Sequence, residues 1–165
     1  AHAATHVDAP FHVRASGKTT DALDVSVFVG QAEVVGVEDA SIIRPRHVAS
    51  VSTSRVLFQT YASTLPTDTW PETITPIHPD TVSALDNRGV LLVGTDAPSV
   101  DPLDSTDLPA HNALIEADIV NLEGLSLAGI EAGQYSLLSL PLKLQGADAA
   151  PVRAVLGDAG ILQKG

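Results

Sequence analysis

The chain has no cysteine and no methionine. Disulfides, thiolate metal centres and thiol nucleophiles are therefore excluded. Aromatic residues make up only 4% of the chain, so its core has to be aliphatic. Positive charge is scarce too: nine Lys and Arg face twenty Asp and Glu, for a formal net charge of −11. Nucleic acid and anionic membrane surfaces both call for basic patches, so neither is an expected partner. No apolar run approaches the ~20 residues of a membrane span. No leader-like segment is visible either, and a soluble, cytoplasmic protein is expected. The chain also lacks a G-x-S-x-G elbow, a G-x-G-x-x-G turn and a P-loop. That removes the serine-elbow hydrolases, dinucleotide binding and Walker-type phosphate chemistry.

At 165 residues, with 44% hydrophobic and 18% charged side chains, the sequence fits one globular domain spanning residues 1–165. Its densest chemistry lies at the front, in AHAATHVDAPFHV. His2, His6, Asp8 and His12 fall within eleven residues. Imidazole and carboxylate are the ligands that suit zinc, manganese or iron when thiolates are absent. Pro10 disfavours helix at Ala9, and Thr5 and Val7 are β-branched, so the run reads as extended. In an extended run His6 and Asp8 point the same way, and the two oxygens of Asp8 can bridge two ions. His12, beyond the Ala-Pro corner, is placed to overhang the metals without ligating them. The interleaved Thr, Asp and Pro do not look like a purification tag.

The run resembles the H-x-G-T-H-x-D-x-P-x-H signature of the cyclase-like metal-dependent hydrolases, a family that includes the bacterial kynurenine formamidases. His2, Thr5, His6, Asp8, Pro10 and His12 match it in type and spacing. One position departs, since Ala4 stands where the family has glycine. If that glycine uses a positive φ, alanine there strains the loop that presents His6. In family members the signature lies well inside their chains, after strands of the sheet, so the resemblance implies a domain lacking the family's N-terminal strands.

Further along, Leu23–Phe28 alternates weakly and Gly30 ends it. Strands are expected at Glu33–Val37, Arg55–Tyr61 and Val90–Val93. A short helix should follow Arg44, and His78-Pro79-Asp80 should open another that stops at Gly89. His47 and His78 read as helix residues, not ligands. The segment Leu65–Pro79 carries four prolines and Trp70, and reads as a lid or pocket wall in which Trp70 can stack on an aromatic substrate or pack the loop onto the core. In GTDAPSVDPLDSTD, residues 94–107, Asp and Ser among turn formers usually close turns or cap helices. This run resembles the G-x-D-x-P-S-x-D-P loop of the kynurenine formamidases, which makes Asp96 and Ser99 pocket-shaping candidates.

A helix is expected over Leu108–Ala117, capped by Asp107, with His111 on it. Glu123, between Leu122 and Leu125, is costly to bury without a partner. The H-x11-E spacing and its LEGL context resemble the family's second half site. The resemblance thus implies that His2, His6 and Asp8 hold one metal, that His111 and Glu123 join Asp8 around the other, and that His12 is the general acid or base. Tyr135–Leu144 reads as an apolar strand interrupted at Pro141, Pro151–Leu156 as a last strand, and Gly157–Gly165 as a loose tail.

Strands and helices do not alternate strictly, which gives an α+β domain. The resemblance sharpens this to a mixed-sheet swivelling β/β/α fold. The activity it implies is metal-dependent hydrolysis of N-formyl-L-kynurenine, with two divalent ions, Zn2+ first and Mn2+ second, in a homodimer. Two readings compete with it: a ring-amide hydrolase of the isatin hydrolase kind, and a metal-binding fragment without activity.

Overall fold

The computed structural model describes residues 2–66 and 69–161. Its strands are β1 (His6–Asp8), β2 (Val29–Gly36), β3 (Arg55–Gln59), β4 (Leu92–Thr95), β5 (Val120–Glu123), β6 (Gly133–Leu138), β7 (Ala149–Pro151) and β8 (Val155–Asp158). Two α-helices accompany them, α1 (Pro79–Asp86) and α2 (Pro109–Glu116). The strands form one sheet in the order β7-β1-β5-β4-β3-β2-β6-β8. β2, β3, β4 and β5 run parallel at its centre, and an antiparallel pair flanks them on each side. This is the expected α+β class, with a mixed sheet.

The centre is parallel because helical crossovers join its strands, α1 between β3 and β4 and α2 between β4 and β5. Such strands are covered on both faces, and RVLFQ of β3 and LVGT of β4 are buried at every position. Alternate residues serve two separate cores. Val56, Phe58 and Val93 pack under the helices with Val82, Leu85 and Leu114. Leu57, Leu92 and Leu122 face the other way, onto Val7, Phe28 and Leu137.

This second core is enclosed by a curl in the sheet. β7 and β8 lie on opposite edges, yet only residues 152–154 separate them in sequence. Four Cα steps reach at most ~14 Å, whereas eight flat strands would be ~34 Å across. The edges must therefore bend towards each other, and a cavity of about 180 Å³ lined by Thr5, Leu57, Leu125, Leu137, Ala154 and Leu156 lies within the curl.

Several boundaries depart from the sequence expectation. Val25–Phe28 is a 3-10 turn capped by Asp24, and β2 begins at Val29 and runs through Gly30. Gly30 does not end the strand: it has φ +145°, and a side chain there would strike the guanidinium of Arg55. Buried Arg55 donates to the carbonyls of Val27 and Ser26, pinning that turn. β6 stops at Leu138, and Pro141 makes only an isolated bridge to Val152. The expected single last strand is two, β7 and β8. The presumed tail begins inside β8, at Gly157, and residues 162–165 lie outside the described residues. So do residues 67–68 of the tryptophan segment.

Candidate metal centre

The centre begins with strand register. β1 lies antiparallel to β5, with His6 opposite Glu123 and Asp8 opposite Asn121. Because side chains alternate along a strand, these four emerge on one face, while Val7 and Leu122 turn to the core behind. On that face His6, Asp8, Asn121 and Glu123 are all buried. α2 packs over them and adds His111, also buried.

The two oxygens of Asp8 are divided between different imidazoles. Oδ1 lies 3.0 Å from Nδ1 of His2 and 3.3 Å from Nε2 of His6. Oδ2 lies 3.4 Å from Nε2 of His111. Glu123 is shared in the same way, with Oε2 at 3.6 Å from His6 Nε2 and Oε1 at 3.3 Å from His111 Nε2. His6, Asp8 and Glu123 converge closely enough to hold one ion, and so do His2, Asp8 and His12.

The remaining imidazole nitrogens are already engaged. His6 Nδ1 is 2.9 Å from the carbonyl of Ala4 and therefore donates to it. His111 Nδ1 is 2.7 Å from Oδ2 of Asp101. Each bond fixes its ring and turns Nε2 towards the carboxylates, as a metal ligand requires. Three atoms on that face are buried without a well-formed hydrogen bond: Asn121 Oδ1 and, among the candidate ligands, His6 Nε2 and Asp8 Oδ1. Buried polar atoms are rarely left so, and a cation between the two candidate ligands would satisfy both. The donor set thus fits a divalent ion.

Charge balance argues the same way. Asp8, Asp101 and Glu123 place three buried carboxylates around one site. Burial opposes protonation of His111, but Asp101, Asp8 and Glu123 outweigh it and push the ring up to about 11. Burial would likewise raise Asp8, yet His111, His2 and His6 hold it well below the usual carboxylate range. The pocket demands positive charge.

Ala4 has φ +53°, the left-handed conformation anticipated at the family glycine. It aims its carbonyl at His6 and packs against Gly124, where a Cβ would collide with that carbonyl. Thr5 Oγ1 ties the two segments together by donating to the Gly124 carbonyl at 2.7 Å.

The family model called Cyclase matches residues 1–102. The chain belongs to the cyclase family. It is 57% identical over 162 residues to the kynurenine formamidase of Salinibacter ruber, covering 96% of this chain and 76% of that protein. Among solved structures it resembles a potential metal-dependent hydrolase with cyclase activity, with a TM-score of 0.85 and 29% identity over 94% of this chain and 78% of the other. Isatin hydrolase A of Labrenzia aggregata shares the fold, with a TM-score of 0.79 at 22% identity over 94% of this chain and 72% of the other.

The structure gathers His2, His6, Asp8, His12, His111 and Glu123 into one cluster. The His12 ring stands 4.1 Å from that of His2 and 5.9 Å from that of His111, on the exposed side. The candidates further along the chain fare differently. A cavity of about 320 Å³ opens beside Ala4, Thr5 and Gly124, with Leu65, Pro66, Pro71, Asp96, Pro98 and Leu125 in its wall. Asp96 lines it, its carboxylate bound by both Thr60 and Ser63. Trp70 does not line it. Thr69 and Pro71 face the cavity, and the residue between them points outward, 71% exposed. Ser99 is outside the wall as well, and its Oγ accepts from the Asp101 amide. Nor does Asp107 cap α2. Asp101 does, accepting from the amides of Ala110 and His111.

Sequence reasoning missed Asp101, Asn121 and Asp148 at this site. Asn121 donates to both Asp8 and Glu123, and a strand period of two from Glu123 could have found it.

Proposed function

We propose that this chain hydrolyses N-formyl-L-kynurenine to L-kynurenine and formate, in tryptophan degradation. The division of Asp8 between His6 and His111 carries the reading, since it supplies a bridging carboxylate for two ions. Likeness to the Salinibacter kynurenine formamidase supplies the substrate. The ions proposed are two Zn2+, with His2, His6 and Asp8 around one and Asp8, His111 and Glu123 around the other. When bound, such ions supply Lewis acidity and a water acidified towards neutral pH.

The residues supply what remains. Water adds to the formyl carbon, the C–N bond breaks, and the aniline nitrogen has to gain a proton to leave. His12 is proposed to take the proton from water and return it to that nitrogen, as its position beside His2 and His111 permits. The proline-walled cavity next to Thr5 and Gly124 is the proposed seat of the aromatic ring. A cytoplasmic homodimer is part of the proposal. No described helix is long and apolar enough to cross a membrane. The partly exposed row Leu138, Leu140, Leu142 and Leu144 offers an apolar face for a second copy.

Absorbance-monitored hydrolysis of N-formylkynurenine tests the reading, using chelator-stripped protein before and after zinc is restored. Activity that disappears and returns is the expected result. Full activity in the stripped protein would overturn the metal mechanism, and zinc uptake without turnover would overturn the substrate.

A further inference from the structure

Two of the three imidazoles assigned to the metals are braced on their far nitrogen, His6 by the Ala4 carbonyl and His111 by Asp101. The third, His2, points Nδ1 at Asp8 and places Nε2 3.2 Å from Oδ2 of Asp148. The same Asp148 oxygen lies 3.7 Å from Nδ1 of His12. One carboxylate atom thus stands between a ligand ring and the proposed proton carrier.

The backbone of Asp148 is fixed where the side chain needs it. Its carbonyl accepts from the Ala9 amide at 2.8 Å, and the next residue, Ala149, pairs with Asp8 in the sheet. The neighbouring turn is held as well: the Ala147 carbonyl accepts from Thr20, and the Gly146 amide donates to Asp21. A loop more than 130 residues from His2 is therefore anchored to the strand that carries Asp8.

We propose that Asp148 is a positioning residue: it orients His2 towards the metal and holds His12 beside it. This rests on the two-ion reading above. A carboxylate behind a metal-bound histidine fixes its tautomer and raises its basicity, and loss of such a partner typically lowers metal affinity by about 10–100-fold.

Asp148→Asn in the full chain tests this, with Zn2+ titrated into stripped protein against a chromophoric chelator. Nitrogen-detected NMR of the histidine rings in the same metal-free samples supplies a second readout. Expected are a drop in affinity for one of two Zn2+ ions, by about 10–100-fold, and altered ring signals for His2 and His12. Two unchanged affinities together with unchanged rings would overturn the proposal. Weaker binding with unchanged rings would overturn it too, because Asp148 would then be a ligand itself. Asp148→Glu should recover part of the affinity, and equal loss in both variants would count against an orienting role. If wild type takes up two ions and never cleaves N-formylkynurenine, the substrate reading fails while these readouts still judge Asp148.

Discussion

Ala4 sits in a conformation that glycine enters freely and alanine does not, and its carbonyl is what braces His6. Ala4→Gly should relieve that strain for a net gain of about 0.5–1 kcal/mol. A raised melting temperature with retained metal stoichiometry is the expected reading, and an unchanged or lower one would show the turn unstrained. His111 governs a second outcome. Its folded pKa, about 11, lies above the unfolded value of 6.5. In the metal-free protein the stabilisation it brings is therefore full below pH 6.5 and lost as pH rises through about 11. A bound ion needs the ring neutral, so zinc uptake at neutral pH should release a proton and strengthen as pH rises. Calorimetry in buffers of different ionisation enthalpy measures this, and identical heats in all buffers would refute it. At His12, substitution by Asn should abolish most turnover while both ions stay bound. A lost ion with a retained rate would instead make His12 a ligand.

At the scale of elements, α2 separates what could be read from what could not. Pro109 and the apolar spacing after it made the helix legible, and His111 with it. Its cap was not legible, because Asp101 arrives from ten residues upstream on a folded loop, while nearby Asp107 has the right type in the wrong place. Asp101→Ala removes both the cap and the brace on His111 and should cost about 1–2 kcal/mol, together with one metal ion. Asp107→Ala should be close to neutral in thermal melts, and equal losses for the two would contradict the assignment. β1 and β5 show the same division. Period two put His6 with Asp8 from sequence alone, and the facing of His6 with Glu123 needed the sheet. Trp70 was misplaced for the converse reason: composition marked a pocket wall but did not say which alternate residue faced in.

On the scale of the whole molecule, the centre joins β1, β5 and α2, so metal removal should loosen the fold as well as stop the chemistry. An ion present at a hundred times its dissociation constant adds about 2.7 kcal/mol per site. Chelation should accordingly lower the melting temperature by several degrees, and zinc should restore it. A melting curve indifferent to chelator would place the ions outside the fold. The curl of the sheet was not legible in advance, because nothing local in PVRAVL says that its two halves belong to opposite edges. What that run did carry was its strand character.

The wide spread of the ligands along the chain bears on how the protein is made. The partners of β1, β5 and β7, follow it by more than a hundred residues. During synthesis His6 and Asp8 leave the ribosome well before Glu123, the residue opposite His6 in the sheet. Glu123 has to emerge before the metal cluster has its walls, and β7 before the strand gains its second neighbour. Capture of the proposed ions is thus a late event in biogenesis, and a product stalled before Glu123 carries His6 and Asp8 without the opposite side of the site.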